Sequence, residues 1–455
     1  MLKLKWEVLK KKRSKNLNYS KSNIEMSKKL IESEEIIEKA RKSEKDFTRN
    51  RKITPKDLIY YNLNRKGLTS KMEIEEFINI CNIKEISSPG FLKQREKLNP
   101  KVIEYLNEES MKLFYNQYKE EVKTYKGYVI VAEDGSDFEV PNTRTTRKEF
   151  ESKNSRSTKE NIARAHVSTT YDILNKYVIT TEIDRYRASE LEMMRKNLVK
   201  AKKLVGDFKL IRIMDRGYGS IPEYYYSNKE NDKFITRIAS NDLVQYRRKM
   251  LTDDEEVMID HDYSRTSKYK EKYPEVYEYF MERKTIKVRI VNVKLITGEV
   301  ETLVTNLTQE EFSTQEIYEL YGMRWGIETN FHYLKESMKI TNITSSKKDI
   351  IKQDILSTIY VFNMLQSIQN DLEPKIEQKK YKNKMKININ MATGYIKKYL
   401  IYILLEENSN KRKELTEILD NKILKHIVPI RPNRRYEHTK HTIDNRYSIN
   451  KRKAY

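Results

Sequence analysis

The sequence predicts a mixed α/β core flanked by helical regions on both sides. Three observations carry that expectation: a helical apolar period between Thr54 and Tyr118, a switch at Tyr128 to short apolar runs alternating with a helical segment, and a return to helical spacing after Ser313. Glycine (11) and proline (9) are scarce, which favours long helices and makes each glycine's position informative.

Pro55 marks a helix start, and Leu58, Ile59 and Leu63, then Met72, Ile74, Phe77 and Ile78, repeat at helical spacing. Short helices separated by polar turns are expected there. The segment Ile86 to Arg95 reads in two ways. It opens a recognition helix with Lys93, Gln94 and Arg95 turned toward DNA, or it belongs to an ordinary helical bundle with a solvated charged face. Tyr128 to Ala132 is an apolar run followed by Glu133-Asp134-Gly135-Ser136, the pattern of a buried strand delivering a carboxylate at its end.

Further strands are expected at Ile162 to Tyr171 and Tyr177 to Ile183, around a turn at Asn175-Lys176, followed by a helix from Ala188 to Val205. The next strand, Lys209 to Met214, runs into Asp215-Arg216-Gly217-Tyr218-Gly219, and Phe234 to Ile238 supplies another. Strands and helices that alternate in this way place sites at strand ends. From Ala239 to about Thr305 the rhythm changes, and an inserted, mainly β subdomain is expected, with strands at Ile286 to Leu295 and Val300 to Val304. Ser313 with Glu316 forms a capping-box pattern that opens one long helix to about Met338. Helical patterns at Ile350 to Leu372 and Met391 to Leu405 complete the chain. In the last of these, Ile396, Tyr399, Leu400 and Ile403 form an apolar face that either packs within the chain or contacts a second copy. The organisation is thus a helical basic region at 1–120, a core in two parts at 121–239 and 306–375, an insertion at 240–305, and a helical C-terminal region with a basic tail at 376–455.

Hydrophobic residues make up 38% of the 455 and charged residues 35%, enough for a core under a heavily ionised surface. The formal charge is +23, which points to a polyanionic partner. Residues 1–55 carry 17 Lys and Arg against 8 acids, and residues 408–455 carry 13 against 5. These ends are either flexible basic arms or grips on the phosphates of a duplex. Cys81 is the one cysteine, so no internal disulfide framework or Cys-rich zinc site is expected and a reducing compartment suits the chain. His438 and His441 are near neighbours but sit in the basic tail. No apolar stretch approaches ~18 residues, so neither export nor a membrane span is expected.

Chemistry concentrates in the segment after Ser313. On a wheel of ~100° per residue, Tyr321, Arg324, Glu328 and Lys335 fall on one narrow stripe. Leu320, Ile327, Phe331, Leu334 and Met338 form the adjacent apolar stripe. Arg324 and Glu328, four apart, also suit a simple surface ion pair. Gly135, Gly217, Gly219, Gly322 and Gly326 cluster around the acidic motifs, where bare backbone permits tight turns or close approach of a ligand.

The spacing Y-x2-R-x3-E-x6-K, with Asp134 in D-G-S and Asp215 in an apolar run followed by D-R-G-Y, resembles the signature of a large family of bacterial insertion-sequence transposases with a DDE active site. The resemblance runs from about residue 45 to 440 and is strongest between 128 and 340. It implies a ribonuclease-H-like catalytic core with a β-rich insertion between the second Asp and the Glu, here with 112 intervening residues, and catalytic Asp134, Asp215 and Glu328. In-line attack on a phosphodiester uses two hard cations ~3.5 to 4 Å apart. Magnesium, or manganese in its place, suits three carboxylates, with Asp134 bridging and Asp215 and Glu328 each completing one ion.

By the same resemblance Tyr321, Arg324 and Lys335 bind the terminal phosphates of the transposon end, and Arg216 is a further candidate contact. Trp325 either stacks on a displaced base or wedges against the insertion. The implied partners are double-stranded DNA, as terminal inverted repeats and target, and a second copy of the chain on paired ends, in the bacterial cytoplasm at the nucleoid. A catalytically silent DNA-binding derivative is the competing class. A glycosidase using paired carboxylates is another, to which the +23 charge and the cationic stripe are poorly suited.

Overall fold

The computed structural model describes residues 18–49, 51–84, 86–151, 162–261, 263–294 and 298–431. The outer parts of both basic ends, including His438 and His441, lie outside the described residues. Among the described residues no helix is long and apolar enough to cross a membrane.

Eight strands form one mixed sheet in the order β3-β2-β1-β4-β5-β8-β7-β6. They are β1 (Tyr128–Glu139), β2 (Arg164–Asp172), β3 (Tyr177–Arg185), β4 (Lys209–Met214), β5 (Lys233–Arg237), β6 (Asp254–Ile259), β7 (Ile286–Lys294) and β8 (Val300–Thr305). β1, β2 and β3 are joined antiparallel, β1, β4 and β5 run parallel, and the remaining pairings are antiparallel. Strand alternation separates two packing faces. Val129 and Val131 of β1 pack with Ala201, Leu204 and Val205 of helix Glu190–Val205. Ala132 and Phe138 pack with Ile327, Phe331 and Leu334 of helix Trp325–Glu336, and Ile130 with Leu320 and Tyr321 of helix Thr314–Gly322. A helical layer therefore covers each face.

The expected β insertion does not form a sheet of its own. β8 returns to pair with the edge of β5, and β7 and β6 continue the same sheet outward, with helix Pro274–Met281 packed on them. Pairing the β5 edge satisfies backbone groups that would otherwise be left open.

The expected single helix from Ser313 to Met338 is two helices. Ser313 and Glu316 do form the capping box, but the first helix ends at Gly322 and the second starts at Trp325. Between them the amides of Met323, Arg324, Gly326 and Ile327 each bond the carbonyl three residues back. Such 3₁₀ spacing advances ~120° per residue instead of ~100°, and glycines at 322 and 326 lower the cost of leaving the α form. The apolar stripe survives, with Leu320, Ile327, Phe331, Leu334 and Met338 all buried.

The N-terminal helices pack on the buried helix Lys348–Glu377 and share its core. A capping box at Thr54 opens helix Pro55–Leu63, which supplies Leu58, Ile59 and Tyr61 to that core. Arg95 corrects the recognition-helix expectation: it is fully buried, not turned toward DNA. Its guanidinium donates to Asn62 (2.6 Å), Thr344 (2.8 Å) and Gln353 (3.0 Å) and pairs with Asp354. Arg65 pairs with the same Asp354 at 2.9 Å. Burial alone would raise the Asp354 pKa, but Arg65, Arg95 and the Thr344 amide hold it below its ordinary value. Lys93, two residues before Arg95, is exposed. In helix Ile389–Leu405 the residues Ile396, Leu400 and Ile403 are buried in the same core, with Tyr399 half-buried against it, so that apolar face packs within the chain.

Candidate active site

Two acids stand side by side because of how β1 and β4 pair. Their parallel register ends at Glu133 opposite Met214, so Asp134 and Asp215 occupy the next positions on adjacent strands. β4 stops there, whereas β1 continues to Glu139 against β2, so Asp134 lies within a strand, at the end of its parallel pairing and not at the strand's end as expected. The crevice where a parallel strand ends is a common place for a site in open α/β sheets.

Strand alternation also decides which of two consecutive acids serves the site. Glu133 points into the opposite face, fully buried, and accepts hydrogen bonds from Thr170 Oγ1 at 2.9 and 3.0 Å. Burial pushes its pKa up to about 8. Asp134 faces the crevice with its carboxylate bonded to the Gly135 amide at 2.8 Å. Burial pushes Asp134 up to about 6, against the pull of that amide and of Arg324, with smaller upward contributions from Glu190 and Asp215.

Arg324, in the tight turn between the two helices, links the acids. It pairs with Glu328 one turn on, and its charge is felt by Asp134 and Asp215. Tyr321 is buried beside it, and burial raises its phenol pKa. Glu301 of β8, paired with Arg237 of β5 at 3.4 Å, lies in the field of Asp215 and Arg324. Lys335 stands further along β1: its Nζ donates to Ser136 Oγ at 2.7 Å, and lies 5.2 Å from the Phe138 ring centre. Burial lowers its pKa. Trp325 is 66% exposed, with the Arg324 guanidinium 5.9 Å from its ring centre, and Arg216 is exposed in the turn after Asp215. The fold thus gathers Asp134, Asp215, Tyr321, Arg324 and Glu328, sets Lys335 along the strand, leaves Lys93 on the remote helical region and removes Arg95 to the core.

Sequence reasoning missed Glu301, Arg237, Tyr218, His166 and Glu190. The first two come from strands whose pairing is not readable in advance. Tyr218 lies buried in the turn after Asp215. His166 of β2 bonds Asp137 through Nδ1 at 2.8 Å. Burial works against its charged form, but Asp137, then Glu190 and Asp134, raise its pKa. Glu190 belongs to a Ser-Glu-Leu-Glu helix start that reads as ordinary capping, and Ser189 does cap that helix.

The donors suit a hard divalent cation. Asp134 and Asp215 offer carboxylate oxygens at adjacent positions, and a buried carboxyl with a raised pKa is one that a cation would favour in ionised form. Among the described residues no group of three His, Cys, Asp or Glu is gathered closely enough to hold an ion, and Glu328 is engaged by Arg324.

No curated protein matches the chain. Among solved structures, it is similar to a piggyBac transposase, seen by cryo-electron microscopy in a synaptic complex with hairpin DNA. The identity is 12% over 88% of this chain and 85% of that one, with a TM-score of 0.42. Residues 125–364, more than half of the chain and including Asp134, Asp215 and Glu328, match the family described as Transposase DDE domain, and the protein belongs to that family of transposases.

Proposed function

We propose that the protein is a cut-and-paste DNA transposase of the insertion-sequence family with the Y-x2-R-x3-E-x6-K signature. In this reading Asp134, Asp215 and Glu328 are the catalytic carboxylates. The observation that carries it is the placement of Asp134 and Asp215 at neighbouring strand positions, with Arg324 joining them to Glu328. The order β3-β2-β1-β4-β5, antiparallel through the first three strands and parallel through β1, β4 and β5, supports a ribonuclease-H-like core.

Asp134, Asp215 and Glu328 would hold magnesium or manganese. Such ions polarise the scissile phosphate and stabilise the attacking and leaving oxygens. The chain's own groups bind and orient. Arg324 offers a planar fork to a phosphate, and a phosphate that takes it competes with Glu328, releasing that carboxylate to the site. Tyr321, buried beside the guanidinium, fixes its approach, and Lys335 places a second positive charge further along β1. Exposed Trp325 is positioned to stack on a base turned out of the duplex, and Arg216 and Lys93 are exposed cations for the backbone. Two chains on paired ends supply the two sites that excision and joining require.

Purified protein incubated with magnesium and labelled duplexes from the ends of its own element tests the reading. Metal-dependent nicking and strand joining are expected. Binding without any cleavage supports the silent derivative instead, and hydrolysis of a glycoside supports the glycosidase.

Two further outcomes follow from the site. Burial pushes the Asp134 carboxyl up to about 6 in the free protein, so protons compete with the cation for it, and cleavage at sub-saturating metal should fall as pH drops through that value. Measured from pH 5 to 8 at sub-saturating magnesium, the rate should show an acidic limb that more magnesium shifts to lower pH, and a flat profile across pH 6 removes Asp134 ionisation from metal binding. Trp325→Ala should leave stability within about 0.5 kcal/mol, since the ring is exposed, while slowing a step that displaces a base. Unchanged processing of end DNA with 2-aminopurine at the cut would remove the stacking role.

A further inference from the structure

The two basic ends account for +17 of the formal +23, which leaves +6 for residues 56–407. Five lysines of that stretch fall within nine residues: Gln378 to Lys386 reads Q-K-K-Y-K-N-K-M-K, with no acid. All five are exposed, and none forms an ion pair among the described residues. Lys112, Lys119, Lys229 and Lys284 are exposed too, yet each sits on a carboxylate. Like charges gathered without counter-charges repel one another, a cost that a polyanion removes.

The fold holds these lysines outward. A two-stranded pair, β9 (Met385–Ile387) with β10 (Ile427–Pro429), sets Met385 opposite Pro429 and Ile387 opposite Ile427. Met385 and Ile387 pack on the core, so strand alternation turns Lys386 to solvent. Lys384 falls on the same outer side, its carbonyl accepting from the Ile430 amide at 2.8 Å. Lysines at strand edges guard against stray pairing. That accounts for Lys386 on a three-residue strand, but not for the four lysines that precede it.

The same unit is fastened to the end of the helix that carries Glu328 and Lys335. Asn388 follows β9, its amide bonded to the His426 carbonyl at 2.9 Å, and its side chain caps helix Ile389–Leu405. That helix meets the C-terminal end of Trp325–Glu336. Ser337 Oγ donates to Asn390 Oδ1 at 2.8 Å, and Lys397 Nζ donates to the Met338 carbonyl at 2.8 Å. The lysine run is therefore joined to the Lys335 end of the catalytic helix, away from Arg324.

We propose that the lysines from Lys379 to Lys386 form a contact surface for the phosphate backbone of duplex DNA, without reading its bases, where the duplex runs past the Lys335 end of the crevice. The inference rests on reading the protein as a DNA-binding transposase, and it adds a surface outside the catalytic crevice. Lysines offer point charges in place of forked contacts, and backbone charges are the same for every sequence. Such a surface suits flanking or target DNA of any sequence better than a defined terminal repeat.

The test is fluorescence anisotropy of the full-length protein with two duplexes of unrelated sequence, titrated across a salt series in metal-free buffer, with phosphatidylserine vesicles as a second probe. Each phosphate contact contributes about 0.9 to the slope of log affinity against log salt, so Lys382→Gln, Lys384→Gln and Lys386→Gln combined should lower the slope by about 2 to 3 on both duplexes. Arginine at the same three positions should retain the wild-type slope. Gln at Lys196, Lys203 and Lys209, exposed lysines of helix Glu190–Val205 and the start of β4, removes the same net charge and should change the slope by less than about 1. The substituted side chains are exposed, so circular dichroism melts should match. Equal slopes in the two Gln variants overturn the proposal and leave DNA binding by the protein in place. A loss on one duplex alone overturns it as well, because it marks base reading. Lost vesicle binding with unchanged duplex slopes assigns the lysines to a lipid surface and overturns it. A wild-type protein without salt-dependent affinity for either duplex overturns the proposal together with the reading on which it rests.

Discussion

Asp134→Asn, Asp215→Asn and Glu328→Gln are each expected to lower cleavage of element-end DNA by about a thousandfold or more. Loss of one carboxylate that organises a divalent cation removes several kcal/mol of transition-state stabilisation, and ~4 kcal/mol corresponds to that factor. The amides keep side-chain shape and packing, so the loss would be chemical and not a failure to fold. DNA binding should remain within a few fold, because phosphate contacts are assigned to Arg324, Lys335 and the basic ends. Glu328→Gln has a further consequence. It weakens the hold on Arg324, so affinity for end DNA should stay level or rise while cleavage is lost. Single-turnover cleavage and gel-shift titration, run in parallel on the three variants, check both halves of the expectation. Wild-type cleavage by any one of them removes that residue from the chemistry.

The largest stability loss is expected from Asp354→Ala. Asp354 is fully buried and serves two buried guanidinium groups, Arg65 and Arg95, besides the Thr344 amide and hydroxyl at 2.8 Å each. Its removal leaves the Arg95 charge without a carboxylate partner in the core and Arg65 with Glu73 alone, at 3.5 Å. Breaking a buried pair in this way costs about 3 to 5 kcal/mol. The loss should concentrate where helix Lys348–Glu377 meets the N-terminal helices, so those helices should lose hydrogen-exchange protection before the sheet does. Arg95→Met should cost less, since Arg65 still balances Asp354 and the replacement fills apolar volume. Denaturant midpoints and exchange by mass spectrometry distinguish these cases. An Asp354→Ala protein as stable as wild type would mean that water reaches Arg95.

Much of the fold was legible where local pattern and burial agree. Tyr128 to Ala132 and Lys209 to Met214 are apolar runs that only a covered strand accommodates, and both are strands flanked by helical layers. Ser313 with Glu316, and the period of Leu320, Ile327, Phe331, Leu334 and Met338, marked a helix start and an apolar stripe that the structure keeps. The helix break at Met323 and Arg324 was harder to see, because an α period and one 3₁₀ turn differ by only ~20° per residue. Arg95 looked like a surface cation because its partners Asn62, Thr344, Gln353 and Asp354 are distant along the chain.

The sequence by itself determined the residue types of the site and their order: two acids following apolar strands, and a Tyr-Arg-Glu-Lys series at helical spacing. Side-chain periodicity and apolar content are local properties, and the sequence carries them directly. The tertiary structure alone decided that Asp134 and Asp215 are neighbours, that β8 and its Glu301 join the core sheet, and that Glu190 and His166 meet over Gly135. Those relations depend on which strand edge pairs with which and in what register. A register shift of one residue would turn Asp134 into the opposite face, so the assembly of the site depends on long-range hydrogen bonding that no local pattern encodes.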